Sequence, residues 1–236
     1  MKQSYPESDP YLVSHIQDIR RRAEHMAYRE RTLTQGAVSL RDFSSAHEYY
    51  GLHLTDTGWV FREWAPNASS ISLVGDFTHW NISPDFALER MNDVGDWQIT
   101  LPRSALQHGD FYRLNVCWPG GQGNRIPAYA RRVVQDDTTK IFSAQVWVPE
   151  EPYTWQHSPP ASIAPVLIYE SHVGMAQEDG RVGTYDEFRE HVLPRISKAG
   201  YNTVQLMAIL EHPYYGSFGY HVSNFFAASS RFGTPE

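Results

Sequence analysis

The chain has 236 residues, enough for one large domain or two ordinary ones, and a formal net charge of -7 leaves no broad basic surface to collect phosphates, which excludes nucleic acid as an expected partner. No apolar run approaches the ~20 residues of a membrane helix, the opening "MKQSYPESDP" lacks the apolar segment of a secretory signal, and the single Cys117 excludes an internal disulfide framework. A soluble, cytoplasmic protein without membrane association is the expectation.

Residues 1–40 read as an N-terminal helical segment. The spacing predicts a helix from residue 9 to about 34, with Asp9 as its cap, Pro10 at the first position and Gly36 as its stop. Leu12, Val13, Ile16, Ile19, Ala23 and Met26 recur at steps of three and four, a stripe that must pack on something. The run Arg20-Arg21-Arg22 reads as a solvated face.

Residues 41–148 change to short β-type runs between turn residues, the pattern of an all-β, immunoglobulin-like sandwich. Strands are predicted at "WVFREWA", "SISLVGDF", "DWQITLP", "FYRLNVCW" and "IFSAQVWV", with turns at "NDVGD" and "PGGQGN". Tyr49 and Tyr50 read as core. Aromatic residues make up 14% of the chain, with seven Trp and fourteen Tyr; an aromatic face can stack on the C–H face of a pyranose, although most such rings fill cores.

Residues 149–165, "PEEPYTWQHSPPASIAP", form a linker rich in proline. From 166 onward "VLIYESHV" reads as a strand buried on both faces, "GTYDEFREHVLPRISKAG" as a helix with a Thr184/Glu187 capping box that Pro194 kinks and Gly200 ends, and "NTVQLMAI" as a second strand. The helix buries Phe188, Val192, Leu193, Ile196 and Ala199 on this reading. Strand, helix, strand is one βαβ unit, and Thr234-Pro235-Glu236 has the composition of a further helix start. The expected architecture is therefore a helix and a sandwich followed by the first, incomplete β/α units of a (β/α)8 barrel. A whole barrel needs ~250 residues, so the chain reads as the front part of a longer protein.

The string "FREWAPNASSISLVGDFTHWN" resembles carbohydrate-binding module family 48. The strings "YESHVGM", "VLPRISKAGYNTVQLMAILEH" and "YYGSFGYHVSNFFAASSRFGTPE" resemble the start of the barrel in 1,4-α-glucan branching enzymes of the eukaryotic type, within the α-amylase superfamily (glycoside hydrolase family 13). The resemblance runs from about residue 9 to the last residue. It implies a transferase that cuts an α-1,4 linkage and rejoins the chain through an α-1,6 bond by a retaining, two-carboxylate mechanism, with no metal or organic cofactor and α-1,4-glucan (glycogen, starch or maltooligosaccharides) as partner. The family's reacting acids follow later barrel strands, so no catalytic residue is assigned in this chain, which is expected to bind glucan but to be inactive alone. Two other readings stand beside it: a glucan-binding protein that performs no chemistry, and another superfamily enzyme such as a trehalohydrolase.

By the same resemblance Tyr220 matches the aromatic platform beside the cleavage point, and Trp64 and Pro66 match glucan-contacting positions at a surface groove of the sandwich. Glu211 and His212, after the second barrel strand, either meet sugar hydroxyls or hold the Tyr220 loop. Glu170 and His172 occupy the equivalent place after the first strand, and Trp80 is a further exposed aromatic candidate. His172, His212 and His221 show no compact metal-ligand spacing.

Overall fold

The computed structural model describes residues 8–161, 165–207 and 209–236. Its backbone divides into two compact units, Met1–Tyr49 and Tyr50–Glu236.

In the first unit, helix α1 spans Ile16–Thr34, later than the spacing predicted. Asp9 instead makes a turn, its side chain accepting from the N–H of Tyr11 and its carbonyl from that of Leu12, and a short 3-10 turn at Val13–His15 leads into the helix. Gln35 and Gly36 both take positive φ, which ends the helix where a glycine was read as its stop. Helix α2 spans Leu40–Phe43, capped by Ser39, and α3 spans Ala46–Tyr49. The predicted apolar stripe is corrected: Leu12, Ile16 and Ile19 are half-buried, while Val13, Ala23 and Met26 are exposed. Amphipathic spacing gives a helix a stripe, but only a facing layer buries it, and α2 is too short to do so. No helix among the described residues is long and apolar enough to cross a membrane.

The second unit opens with a two-sheet sandwich. Strands β1 (Gly51–Thr55), β2 (Gly58–Trp64), β4 (Glu89–Arg90) and β5 (Asp96–Leu101) form one antiparallel sheet in the order β1-β2-β5-β4. Strands β3 (Ser70–Gly75), β6 (Phe111–Trp118), β8 (Val133–Gln135) and β9 (Phe142–Gln145) form the other in the order β3-β6-β9-β8, and β7 (Gly121–Arg125) pairs with β6. Alternate residues of each strand point inward, so Trp59, Phe61, Trp97 and Leu101 from the first sheet meet Ile71, Leu73, Tyr112, Leu114 and Val133 from the second. Phe61 and Tyr112 touch edge to face across that core, with ring centroids 6.4 Å apart.

The segment "PGGQGN" is corrected from a turn to a hairpin. Only Pro119 and Gly120 form the loop, and Gly121 onward pairs with β6. Gly120 carries φ +98, which a residue with a side chain resists. Tyr49 and Tyr50 are not core: Tyr49 is exposed, and half-buried Tyr50 donates its hydroxyl to Asp96 and stacks on Tyr129.

After the linker, β10 (Ile168–His172) and β11 (Thr203–Met207) pair in parallel, as a βαβ unit requires. Between them the Thr184/Glu187 capping box opens α4 (Tyr185–Glu187), a π turn covers Phe188–Val192, and α5 (Leu193–Lys198) follows with Pro194 in its first turn. The π turn is how the chain absorbs Pro194: proline has no N–H to return to the previous turn, and the Leu193 N–H reaches back five residues to the Phe188 carbonyl instead. Phe188, Val192 and Ile196 are buried with Val173 and Phe232, whereas Ala199 is exposed. The expected burial of both faces of β10 is also corrected, because a two-stranded sheet leaves Val166, Leu167, Ile168 and Tyr169 exposed. Strands β12 (Leu210–Glu211) and β13 (Asn224–Ala228) form an antiparallel pair with a register shift between Leu210 and Glu211.

Thr234-Pro235-Glu236 holds no helical turn, since three residues cannot close an i to i-4 bond. Glu236 instead accepts from the indole N–H of Trp147 at 2.8 Å. Arg132 donates to the Gly233 carbonyl at 3.2 Å and lies 4.2 Å over the Trp147 ring, joining the sandwich to the last residues.

Candidate functional site

Two exposed tryptophans mark separate places on the sandwich. Trp64 ends β2 with 54% of its surface open. Its indole N–H donates to the Val94 carbonyl at 3.1 Å, which ties the ring to the turn before β5. The next residue, Ala65, is held from both sides: its N–H donates to the Gly95 carbonyl at 2.8 Å and its carbonyl accepts from the Trp97 indole at 3.0 Å. Half-buried Pro66 accepts from Arg90 at 3.2 Å and packs directly on Gly95, where a Cβ would fall on the Pro66 backbone. Sequence order thus makes a rigid apolar edge of Trp64 and Pro66.

Trp80 sits in the loop after β3, where His79 and Trp80 take φ of +50 and +63. Two consecutive non-glycine residues in the left-handed region carry strain that the surroundings must hold. Asp76 does so, accepting from the Trp80 indole at 3.0 Å and from the Phe111 N–H at 2.8 Å. The ring is 41% exposed and lines a hollow of about 350 Å³ with Asp76, Phe111, Arg113, Val134, Asp136, Thr139, Ile141 and Ser143. Arg113 lies 5.6 Å over the ring and donates through two nitrogens to the Ser143 hydroxyl, at 3.1 and 3.0 Å. The N–H and hydroxyl of Thr139 hold the Asp136 carboxyl below the usual carboxylate range, with Thr138 and Lys140 adding to the effect. An indole face flanked by a guanidinium, two carboxylates and hydroxyls offers a sugar ring both a stacking surface and hydrogen-bond partners for its hydroxyls.

Of these residues only Trp80 was read from sequence. Arg113 interrupts the apolar run "FYRLNVCW" and Asp136 opens the turn "DDTTK", but only the β6, β9 and β8 pairings bring them under the Trp80 loop. The hollow contains neither Trp64, Pro66 nor Tyr220.

In the C-terminal part Tyr220 is 77% exposed, in a loop fixed by its own N–H donating to the Ser217 carbonyl at 3.0 Å. Glu211 and His212, read as either meeting sugar hydroxyls or holding the Tyr220 loop, are 1% and 0% exposed, and their side chains face the interior. The Glu211 carboxylate accepts from the Ser230 N–H and hydroxyl at 2.7 and 2.9 Å, and from the His212 N–H at 3.1 Å. Its carbonyl accepts from the N–H of Ser223, three residues beyond Tyr220. Glu211 therefore braces the loops on either side of β13. His212 Nδ1 is 2.9 Å from the Leu210 carbonyl, and its Nε2 has no hydrogen-bond partner among the described residues.

His172 is buried against the edges of Tyr215 and Phe232, and burial, then the neighbouring His212, pushes its pKa down. Glu170 is exposed and accepts from Gln205 at 3.1 Å, and His221 is exposed. Among the described residues no three His, Cys, Asp or Glu side chains gather as a metal site.

Carbohydrate-binding module 48 (Isoamylase N-terminal domain) matches residues 49–130. The 1,4-alpha-glucan-branching enzyme of Dictyostelium discoideum is 40% identical over 234 residues, which cover 97% of this chain and 34% of that protein. A chloroplastic/amyloplastic 1,4-alpha-glucan-branching enzyme 2-2 of Arabidopsis thaliana is 45% identical over 204 residues, 84% of this chain and 25% of that protein. The chain spans about a third or less of the length of these curated relatives. Among solved structures, the pullulanase SAP of Group B Streptococcus superposes with a TM-score of 0.63 at 21% identity, over 78% of this chain and 29% of that one. The pullulanase of Bacillus acidopullulyticus superposes with a TM-score of 0.61 at 22% identity, over 78% and 25%. These two likenesses speak to the fold alone. The chain is thus similar along nearly its whole length to 1,4-alpha-glucan-branching enzymes, and its residues 49–130 match the carbohydrate-binding module 48 family.

Proposed function

We propose that this chain is the N-terminal portion of a 1,4-α-glucan branching enzyme, which cleaves α-1,4-glucan and transfers the released chain to form α-1,6 branches by a retaining mechanism. The observation that carries the reading is the identity to branching enzymes over 97% of the chain, with a glucan-module profile lying on the sandwich. On this reading residues 1–40 are an N-terminal helical segment, 41–148 the glucan-binding sandwich, 149–165 a linker, and 166–236 the first units of the catalytic (β/α)8 barrel. The parallel pairing of β10 with β11 and the open apolar faces beside it support that last assignment. The compartment is read as cytoplasmic and the pathway as glycogen biosynthesis.

The division of labour follows from placement. Trp80 with its hollow and the Trp64–Pro66 edge hold polysaccharide on the sandwich. Tyr220 offers its face to a sugar beside the cleavage point, and Glu211 and His212 act from behind by fixing its loop. Retaining chemistry needs a nucleophilic carboxylate and an acid/base carboxyl about 5 to 5.5 Å apart. Among the described residues the buried acids Glu63 and Glu211 are each occupied by backbone donors; by the resemblance to the branching enzymes, the reacting pair follows later barrel strands.

The test is to read the frame past codon 236, express the full product and the 236-residue chain, and count new α-1,6 linkages in amylose. Branching by the full product and none by the chain alone is expected. A stop codon after residue 236, or branching by the chain alone, overturns the reading.

A further inference from the structure

The alternation of β2 places Trp59, Phe61 and Glu63 on the core face, so a carboxylate occupies an inward position next to the exposed Trp64. One oxygen of Glu63 accepts from the Trp64 N–H at 3.1 Å, and the other accepts from the N–H of Ala128 at 3.2 Å. Ala128 lies in the loop before β8, and its neighbour Tyr129 stacks on Tyr50 at 5.4 Å and on Phe226 of β13 at 4.7 Å. A single buried side chain therefore spans from the Trp64 edge to the junction between the sandwich and the C-terminal strands.

We propose that Glu63 is a positioning residue for glucan held at Trp64, its ionised carboxylate clamping the Trp64 backbone to the Ala128–Tyr129 loop. The inference rests on the reading of Trp64 as a glucan contact. The ionised form has an acceptor for each N–H. A protonated carboxyl, like a glutamine amide, keeps one good acceptor and turns a hydrogen toward the other donor, which frees one end of the clamp.

Burial raises the Glu63 pKa above the ordinary glutamate value, against the lowering effect of the Ala128 and Trp64 N–H groups. Tyr112 of the opposite sheet is held protonated by burial, then by Glu63 itself, and Arg131 acts on that tyrosine in the opposite sense. Asp96, paired with Trp64 across the strands, is held below the carboxylate range by the Tyr50 hydroxyl and then Asn92, so it stays ionised as Glu63 titrates. The sign separates two roles. A raised carboxyl pKa means that folding is favoured by this group below the ordinary value and that its stabilising contribution is lost as pH climbs through the folded-state value. The clamp runs the other way, forming as pH climbs. Affinity at Trp64 and the stability contribution of Glu63 thus change in opposite directions, which a purely structural residue would not produce.

The experiment titrates maltoheptaose against the chain carrying Trp80→Ala and Tyr220→Ala from pH 4.5 to 8, so that of the proposed glucan surfaces only the Trp64 edge is read, and repeats it with Glu63→Gln and with Trp64→Ala added. Affinity is expected to fall about tenfold as pH drops, with a midpoint above the ordinary glutamate range. Glu63→Gln is expected to sit at the weak level at every pH, and Trp64→Ala to lose binding. A pH-independent affinity before Glu63 is altered overturns the inference without relying on that variant's folding. Loss with Trp64→Ala but none with Glu63→Gln rejects Glu63 alone, whereas binding that survives Trp64→Ala rejects the Trp64 reading and the inference with it.

Discussion

Replacing Glu211 with alanine tests how the loops around β13 are held. The carboxylate takes bonds from the Ser230 N–H at 2.7 Å, the Ser230 hydroxyl at 2.9 Å and the His212 N–H at 3.1 Å, with the Ser229 hydroxyl farther off at 3.4 Å. The hydroxyls can turn to other acceptors, but the two backbone N–H groups cannot. Each donor stranded in a buried site costs about 1 to 3 kcal/mol, and two of them place the loss near ~4 kcal/mol. Relief from burying a charge is smaller, since those donors already stand in for its water. For a chain of this size each kcal/mol moves Tm by roughly 2 to 4 °C, so thermal unfolding followed by circular dichroism should shift down by on the order of 10 °C. Glu211→Gln keeps one oxygen and should lose about half as much. Faster amide exchange at Ser230 and His212 should accompany both. An alanine variant that melts within ~2 °C of the parent would refute the bracing role.

Gly95→Ala adds a Cβ at φ +105 against the Pro66 backbone and 2.7 Å from its Cβ, and should cost about 2 to 4 kcal/mol in urea unfolding. A loss below ~1 kcal/mol would contradict the packing of the Trp64–Pro66 edge. Phe188→Ala empties the centre of the second core and should cost about 3 to 5 kcal/mol, an unchanged denaturation midpoint being the contrary result. The Arg181 guanidinium, then the Thr184 N–H, hold the Glu187 carboxyl at a pKa of about 2. A depressed value means that its contribution to the helix start is complete above the ordinary 4.5 and is lost as pH falls toward about 2. Amide exchange at Thr184 should rise through that window, and Glu187→Gln should flatten the dependence.

The strands were legible where alternation is strong. β6 matches "FYRLNVCW" end to end because branched and aromatic residues fill its inward positions. β7 was not legible, since "GQGNR" has no strand propensity and pairs only because the Pro119-Gly120 loop folds it onto β6. The Thr184/Glu187 box was readable because a cap is local chemistry, whereas the π turn that accommodates Pro194 depends on the packing of Phe188 and Val192. Burial was the weakest inference: the apolar run before His172 fits a covered strand, but coverage is a property of neighbours the run does not encode. At the candidate sites the exposed rings of Trp64, Trp80 and Tyr220 were readable from the strings they stand in. The Arg113, Asp136 and Thr139 wall was not, since it depends on the β6, β9 and β8 pairings, and neither was the clamp of Glu63. An acid on the same alternate face as Trp59 and Phe61 was the one available hint.

The central claim is that this sandwich holds α-glucan on the face of an exposed tryptophan backed by Arg113 and Asp136. Calorimetric titration of the 236-residue chain with maltoheptaose at pH 7, beside Trp80→Ala, addresses it most directly. Loss of a stacked ring is worth about 0.5 to 1.5 kcal/mol beyond area, so saturable binding that weakens roughly five- to tenfold in the variant is predicted. Absence of binding, or equal affinity in the two proteins, would contradict it.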